Sequence, residues 1–342
     1  MNGPADEGGR PVLVARNLDK HFPAPEHQKI HAVNDVSFAI AEGEVLGMVG
    51  ESGSGKSTIG RLVLGLLPPT AGIVEFDGKD LAALDARQMR ASRADMQMVF
   101  QDPWSALNPR MAVGRQIAEP LLLHTKLDRS GRKAKVAELA DRVRLPTTYL
   151  NRLPADLSGG QLQRVCIAKA IATEPKLIVL DEPTSSLDLS VRAGILDLLA
   201  DLRRDLGVAM LFISHDLGTV KLISDRIVVL YLGTVVEEGA ADTLFDTPAH
   251  PYTQALLSAH LPPDPAVEVQ RHLLEGEVPS PIHLPPGCRF AGRCPLAIDP
   301  CRSALPPLDS VPGDVADHRA ACIRIADGAN QLVQPQHQMA SP

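Results

Sequence analysis

The sequence has few aromatic residues, no surplus of basic charge and no long apolar segment. Aromatic residues make up 3% of the 342 residues, and 34 Lys and Arg are outnumbered by 41 Asp and Glu, for a net charge of −7. Surfaces that track nucleic acid combine basic and aromatic side chains, so we expect no nucleic-acid partner. The longest apolar runs, such as 177–180 and 227–232, fall far short of the roughly 20 residues that span a bilayer.

Cysteine is also scarce, with five residues in the chain. The segment 1–16 is polar and glycine-rich and lacks the apolar centre of a signal peptide. We therefore expect a soluble, cytoplasmic protein, in which structural disulfides are uncommon. The length suits one large domain with an appendage.

The most informative segment that is present is a glycine-rich loop with the pattern G-x-x-x-x-G-K-[ST] at residues 50–58. In such loops backbone N–H groups surround phosphates, the lysine reaches the outer phosphates and the following hydroxyl binds Mg²⁺. An apolar strand precedes the loop and helical spacing over 57–67 follows it, so the loop opens a helix N-terminus, where phosphate is favoured. The predicted nucleotide-binding residues are Gly50, Ser52, Gly53, Ser54, Gly55, Lys56, Ser57 and Thr58.

Polar residues follow three further apolar strands. Asp181 and Glu182 come after the aliphatic run 177–180, His215 follows 211–214, and Gln101 follows 96–100. The carboxyl ends of parallel strands meet at one edge of a sheet, where ligands bind. We expect Asp181 to hold the Mg²⁺ water shell, Glu182 to orient or deprotonate the attacking water, and His215 to reach a γ-phosphate. A neutral amide such as Gln101 can bond a metal-bound water.

A second glycine turn, 157–161, opens another predicted helix. Its commoner meaning is a Ser N-cap with a glycine entry turn. Its glycines and helix N-terminus also form an anion site, yet one phosphate cannot readily use both anion sites of one chain. If both the glycine loop and this turn bind phosphate, the turn lies against the γ-phosphate bound by a second subunit.

Hydrophobic patterning predicts an α/β fold of two lobes. Residues 11–49 alternate apolar and polar positions, which predicts an antiparallel sheet beside a buried strand. Helical spacing with interspersed prolines predicts a helical lobe over about 102–165. The following pattern alternates in βα fashion and predicts a parallel sheet, with a helix over 191–206, a strand over 208–214, a helix over 216–224 and a strand over 226–236.

Prolines crowd the chain beyond residue 248, and such density is expected to block regular helix and central strand alike. Four of the five cysteines lie in this part, so we interpret it as an ordered appendage. We expect a main domain over 11–250, an extension over 251–326, and disorder over 1–10 and 331–342.

These motifs together resemble the ATP-binding cassette (ABC) ATPases over about residues 11–250. The resemblance implies a P-loop NTPase fold with a RecA-like parallel sheet core, an antiparallel β subdomain and a helical subdomain. It makes 50–58 the Walker A motif, Gln101 the Q-loop glutamine, 157–161 the signature and 177–181 the Walker B motif.

The same resemblance assigns roles to single residues. It implies ATP and Mg²⁺ as cofactors, catalysis by Glu182, His215 and Lys56, and Mg²⁺ binding by Ser57, Gln101 and Asp181. Further nucleotide contacts are implied for the signature residues Ser158, Gly159, Gly160 and Gln161 and for Asp188 in the D-loop. The adenine-stacking aromatic would be Phe22 or conceivably His21, because an insertion at 27–29 shifts the alignment.

Two segments, 101–110 and 250–257, narrow the resemblance to the oligopeptide/dipeptide importer branch, which also contains nickel-import relatives. It implies a peripheral subunit on the cytoplasmic face of the cell (inner) membrane, paired with a second ABC ATPase subunit. Two transmembrane permeases and, indirectly, an extracytoplasmic solute-binding protein complete such importers. A soluble ABC protein of translation or repair is less favoured, because only about 100 residues separate Walker A from the signature.

The four cysteines of the extension are Cys288, Cys294, Cys301 and Cys322. Their spacing matches neither a C-x-x-C zinc pair nor a bacterial ferredoxin run. The extension is similar to that of the importer branch, in which four cysteines can hold a [4Fe–4S] cluster. Zinc with His318 in place of one cysteine, and four reduced thiols without metal, remain alternatives.

Overall fold

A computed structural model describes residues 11–259, 276–313 and 317–332. The strands in chain order are β1 (Pro11–Pro23), β2 (Lys29–Ala41), β3 (Val45–Val49), β4 (Ala71–Phe76), β5 (Lys79–Asp80), β6 (Met96–Val99), β7 (Leu177–Asp181), β8 (Ala209–Ile213), β9 (Arg226–Tyr231), β10 (Thr234–Ala240), β11 (Asp309–Ser310) and β12 (Arg319–Ala320).

The helices are α1 (Lys56–Val63), α2 (Ala86–Asp95), α3 (Pro103–Ala106), α4 (Val113–His124), α5 (Arg129–Arg142), α6 (Gly159–Ile171), α7 (Leu189–Leu206), α8 (Leu217–Ile223), α9 (Ala241–Asp246), α10 (Pro251–Ala259) and α11 (Asp299–Ser303). No helix within the described ranges combines the length and the apolar character that crossing a membrane requires.

An antiparallel sheet forms the first layer, with strand order β2-β1-β4-β5. On β2, Val36, Phe38 and Ile40 are buried while the intervening residues are more exposed. This period of two is the alternation expected of a sheet with one covered face. The predicted antiparallel sheet is therefore confirmed.

The second sheet has the order β11-β12-β10-β9-β3-β8-β7-β6. Strands β9, β3, β8, β7 and β6 are parallel, and every residue of β3, β8 and β7 is buried. Alternate residues of β7 enter different cores: Leu177 and Val179 face α1 and the antiparallel sheet, whereas Ile178 and Leu180 face the helical lobe. The P-loop NTPase architecture expected from the sequence is confirmed.

The predicted single strand over 226–236 is wrong. The chain forms the antiparallel hairpin β9–β10, with Leu232 and Gly233 as the two turn residues. Both have positive φ angles, 46° and 79°, as a type I′ turn requires. The hairpin adds an antiparallel edge to the parallel core.

The first helix is shorter than the predicted 57–67. Gly65 adopts a left-handed φ of +61°, and its N–H donates to the carbonyl of Leu62 while the N–H of Leu66 donates to that of Arg61. This pair of bonds is a Schellman motif, which ends a helix. Gly65 therefore ends the helix before the prolines at 68 and 69 are reached.

The helical lobe consists of α3, α4 and α5 with the signature helix α6, and its apolar residues join the core under the parallel sheet. Pro120 lies inside α4 without ending it. The predicted helical lobe is confirmed, although its first helix, α3, has only four residues.

The extension contains a regular helix, which the proline density was expected to block. Pro251 occupies the start of α10, where proline is tolerated because that N–H has no helical partner. Strand β12 pairs with β10, so the extension also adds strands to one edge of the main sheet. Disorder was predicted for 1–10 and 331–342, and of these residues all but 331 and 332 lie outside the described ranges. The N–H of Leu332 donates to Gln254 Oε1 at 2.7 Å.

Candidate functional site

The glycine loop lies between β3 and α1, as expected. Gly50 and Gly55 have φ angles of +152° and +101°, which side-chain-bearing residues rarely adopt. A Cβ on Gly50 would lie 2.2 Å from the carbonyl oxygen of Leu230, and one on Gly55 would lie 2.4 Å from that of Ala32. Only glycine fits at these two positions, so the loop can curl tightly over the helix N-terminus.

Lys56 is buried at the centre of this loop. Its Nζ donates to the carbonyl oxygens of Gly50 at 2.7 Å and Glu51 at 2.9 Å, and to Ser54 Oγ at 3.3 Å. Burial lowers the pKa of Lys56, while the carboxylates of Glu182, Asp181 and Glu51 act in the opposite direction. The ammonium group therefore sits where phosphate oxygens could replace the loop's own acceptors.

Ser57 and Asp181 form the candidate cation site. The Ser57 hydroxyl donates to Asp181 Oδ1 at 2.8 Å, although the two residues are 124 positions apart. Burial raises the pKa of Asp181, and the Ser57 hydrogen bond partly offsets that effect. A hydroxyl and a carboxylate are hard oxygen ligands of the kind Mg²⁺ prefers, so the donor set fits the ion.

Glu182 is contacted by two other residues predicted to follow strands, Gln101 and His215. Gln101 Nε2 donates to Glu182 Oε2 at 3.0 Å, and His215 Nδ1 lies 3.2 Å from the same oxygen. Glu182 has an unusual φ of +47°, and its N–H donates to the carbonyl of Ile213 at 2.9 Å. The left-handed conformation turns the side chain towards Gln101 and His215 instead of continuing the strand. The structure brings these three residues together at one edge of the sheet.

The signature turn is a helix cap in this chain. Ser158 Oγ accepts from the N–H of Gln161, and Gln161 Oε1 accepts from the N–H of Ser158, which makes a capping box at the start of α6. Within residues 11–259, no hydrogen bond of the structure joins this turn to the glycine loop. Ser158 is exposed and Gly159 is partly exposed.

Asp188 precedes α7 and is exposed, and its side chain makes no capping hydrogen bond. Helix α7 packs closely on the signature, since a Cβ on Gly160 would lie 2.4 Å from Val191 Cγ1. Arg192, on the same helix, pairs with Asp216 at 2.5 Å, next to His215. The D-loop helix therefore connects the signature to the His215 turn.

Phe22 lies on β1, opposite Ile30 of β2, and is partly exposed. Lys20 Nζ lies 5.3 Å from the centre of its ring. The neighbouring His21 packs against His31, with ring centres 4.3 Å apart and ring planes tilted by 59°. Both candidate rings are partly exposed, and each has a neighbour in this chain, Lys20 for Phe22 and His31 for His21.

Sequence reasoning missed a second set of contacts on the glycine loop. The N–H of Glu51 donates to the Tyr252 hydroxyl at 2.9 Å, and the Glu51 carboxylate pairs with Arg293. Both partners belong to the predicted extension. Glu51, an acidic residue in a phosphate-binding loop, could have indicated these contacts, because its negative charge requires a nearby cation.

The four tail cysteines converge. Cys288, Cys294, Cys301 and Cys322 all line one small pocket, together with apolar residues that include Phe290. Burial raises the pKa of Cys288, and raises those of Cys294 and Cys322 to about 11. Across the described part of the chain, however, no group of three or more His, Cys, Asp or Glu side chains is arranged to hold a metal ion.

Family models match two parts of the chain: ABC transporter over residues 33–185, and oligopeptide/dipeptide transporter, C-terminal region, over 236–301. Among solved structures, the dimeric post-hydrolysis state of the ATP-binding cassette MJ0796 bound to ADP and Pi has a TM-score of 0.62 and 31% identity, covering 67% of this chain and 98% of that one. The cbiO1 protein from Clostridium perfringens has a TM-score of 0.62 and 28% identity, covering 69% and 91%.

Curated relatives match along most of the sequence. A putative peptide import ATP-binding protein of Brucella ovis is 49% identical over 318 residues, which are 92% of this chain and 98% of the relative. The oligopeptide transport ATP-binding protein OppF of Salmonella typhimurium is 44% identical over 325 residues, 92% of this chain and 96% of the relative. The chain belongs to the ATP-hydrolysing, ATP- and Mg²⁺-binding proteins of the ABC transporter family, and it carries the C-terminal region of the oligopeptide/dipeptide transporters.

Proposed function

We propose that this chain is the ATP-hydrolysing subunit of an importer that takes up oligopeptides or dipeptides across the cytoplasmic membrane. The observation that carries the hydrolytic part is the convergence of Gln101 and His215 on Glu182, beside the Ser57–Asp181 pair. The peptide part is supported by the extension over 236–301 and by the printed names of the relatives.

The binding half of the site is built from the glycine loop. The backbone N–H groups of residues 50–58 and the ammonium group of Lys56 bind the β- and γ-phosphates of ATP. Ser57 and Asp181 would hold Mg²⁺, and the ion would supply positive charge to neutralise the phosphates. Because Lys56 is already buried and donates to carbonyl oxygens of its own loop, exchanging those acceptors for phosphate oxygens adds no further desolvation cost for its ammonium group.

The hydrolytic half is centred on Glu182. Its carboxylate orients the attacking water and accepts its proton, as a general base must lie within hydrogen-bond reach of that proton. Gln101 and His215 both approach Oε2, so they fix the orientation of the carboxylate and leave Oε1 for the water. His215 then contacts the γ-phosphate when the nucleotide is present.

The signature completes the site of a second subunit. Ser158, Gly159, Gly160 and Gln161 contact the γ-phosphate held by the partner's glycine loop, and Asp188 lies at the same interface. The helix N-terminus of α6 supplies partial positive charge for that contact. The dimeric form of the cassette MJ0796 supports a two-chain arrangement.

The transport complex contains, beyond the two ATPase subunits, two transmembrane permeases fed by an extracytoplasmic solute-binding protein. The chain acts peripherally, at the cytoplasmic face. Phe100 and Trp104, beside Gln101, are 41% and 50% exposed, which supports a protein contact on this part of the helical lobe. Closing of the nucleotide sandwich drives the permeases through that contact.

Co-expression with the permeases tests the proposal. The chain is expected to purify with them and to restore uptake of a labelled tripeptide in a strain lacking its own importer ATPases. A Lys56→Ala variant is expected to assemble without restoring uptake. Failure of the chain to associate with any permease pair would refute the transport assignment, even if ATP were hydrolysed.

The four tail cysteines are proposed as ligands of a [4Fe–4S] cluster. Four thiols lining one pocket are the right donor set and number. The fit is incomplete, because the described side chains do not form a ligand group, so the thiols would have to turn and lose their protons.

Anaerobic purification with iron and sulfide analysis tests the cluster. About four irons per chain and a broad visible absorption band, both lost in a Cys294→Ser variant, are expected. Stoichiometric zinc without iron, or no metal at all, would refute the cluster.

A further inference from the structure

The glycine loop contains one acidic residue, Glu51, directly after Gly50. A carboxylate beside bound triphosphate repels it, because like charges a few ångströms apart disfavour each other in a partly buried site. The Glu51 side chain is 27% exposed, so water screens only part of this repulsion. The loop therefore needs a cation at Glu51 if it is to bind ATP well.

Arg293 supplies that cation from the extension, 242 positions along the chain. Its Nη1 donates to Glu51 Oε2 at 2.7 Å and its Nη2 donates to Glu51 Oε1 at 3.1 Å. This is the bidentate geometry in which arginine–carboxylate pairs are strongest. The Arg293 side chain is 8% exposed, which keeps the pair in place.

A second contact fixes the loop backbone. The Tyr252 hydroxyl accepts the N–H of Glu51 at 2.9 Å, so the peptide that joins Gly50 to Glu51 is held in one orientation. The Tyr252 ring packs edge-on against Tyr231, with ring centres 4.7 Å apart, and Phe290 lies 5.4 Å from both. Helix α10 and the cysteine-bearing segment thus meet at a rigid aromatic cluster under the loop.

We propose that Tyr252 and Arg293 are positioning residues through which the C-terminal extension sets the affinity of the glycine loop for nucleotide. Arg293 neutralises Glu51, and Tyr252 orients its peptide. The inference rests on the proposed nucleotide site. It adds that the extension acts on this site and is more than an appendage.

A simpler role is possible for the same contacts, namely anchoring the extension to the main domain. The two roles differ in how Glu51 responds. If Arg293 acts by neutralising Glu51, removing the Glu51 charge must cancel the effect of removing Arg293. If the pair only anchors the extension, the two losses do not cancel.

The test measures binding of a slowly hydrolysed ATP analogue with Mg²⁺ to the full chain by titration calorimetry. Arg293→Met is expected to raise Kd about tenfold, the effect of one unpaired charge several ångströms from the phosphates. The double variant Glu51→Gln/Arg293→Met is expected to return to within about twofold of wild type. Arg302→Met, which removes the same charge from an exposed site in the extension, is the matched control and is expected to leave Kd unchanged.

Tyr252→Phe keeps the ring packing and removes one acceptor, so a rise in Kd of about fivefold is expected. Tyr252→Phe also tests the inference if the Arg293→Met variant does not fold. Unchanged affinity in Tyr252→Phe and in any folded Arg293→Met, or an Arg293→Met defect that Glu51→Gln leaves uncorrected, would overturn the inference. Failure of the wild-type chain to bind nucleotide would instead refute the proposed function on which the inference depends.

Discussion

Replacing Glu237 by Gln is expected to destabilise the protein strongly, although Glu237 lies outside the nucleotide site. Its carboxylate is fully buried on β10 and accepts from the N–H groups of Ala249 at 2.6 Å and His250 at 2.9 Å. His318 Nε2 lies 2.8 Å from the same carboxylate. Glu237 thus joins the chain before α10 to the segment that leads into β12.

The magnitude follows from the number of bonds that an amide cannot keep. The N–H groups of Ala249 and His250 bind different oxygens of Glu237, and Gln has only one oxygen, so one of these N–H groups would face an NH₂ group without a partner. Leaving one buried donor unsatisfied and losing a charge-assisted bond together cost about 3 kcal/mol. Glu237→Ala would cost more, because it leaves both buried N–H groups without an acceptor, at about 1 to 3 kcal/mol each.

Urea unfolding followed by far-ultraviolet circular dichroism measures this difference. Glu277→Gln is the matched control, since Glu277 is exposed and its substitution is expected to change stability by less than about 0.5 kcal/mol. A double-mutant cycle with His318→Ala should show coupling between His318 and Glu237. A Glu237→Gln protein as stable as the Glu277→Gln control would refute the reasoning.

Two further predictions concern single side chains. Ser57→Ala removes the donor to Asp181, and the half-saturating Mg²⁺ concentration for ATP hydrolysis is expected to rise at least about tenfold; an unchanged Mg²⁺ dependence would contradict the assigned role. Burial lowers the pKa of His250 from 6.5 to about 3, so the unfolded chain binds the extra proton as pH falls below 6.5. The contribution of neutral His250 to the free energy of unfolding is therefore fully present above pH 6.5. It falls by about 2 kcal/mol by pH 5 and continues to fall towards pH 3. His250→Asn should flatten this slope in urea unfolding at pH 7.5 and 5.0, and an equal slope in both proteins would contradict it.

Much of the site could be predicted from the sequence, because its residues end strands. Asp181 closes β7, His215 and Gln101 follow β8 and β6, and the glycine loop follows β3. Parallel strands bring their carboxyl ends to one edge, so local patterning was enough to predict that these residues meet. The Ser57–Asp181 and Gln101–Glu182 hydrogen bonds agree with that geometry.

The features that the sequence did not predict are a turn and a contact between residues far apart in the chain. The hairpin at Leu232 was missed because a left-handed leucine gives no turn signal of its own, and the neighbouring Gly233 is a weak one. The partner of Glu51 could not be chosen among 34 Lys and Arg residues, since Arg293 reaches it only after the extension folds back. Tertiary packing, not local preference, sets that contact.

The central claim is that ATP is held between the glycine loop of one chain and the signature of another, with Glu182 as the base. The most direct measurement is the oligomeric state of Glu182→Gln by size-exclusion chromatography with light scattering, with and without ATP. The variant is expected to bind ATP, to hydrolyse it at least about a hundredfold more slowly than wild type, and to form a dimer only when ATP is present. Adding Ser158→Arg should abolish that dimer. Undiminished turnover by Glu182→Gln, or an ATP-bound variant that stays monomeric, would contradict the account.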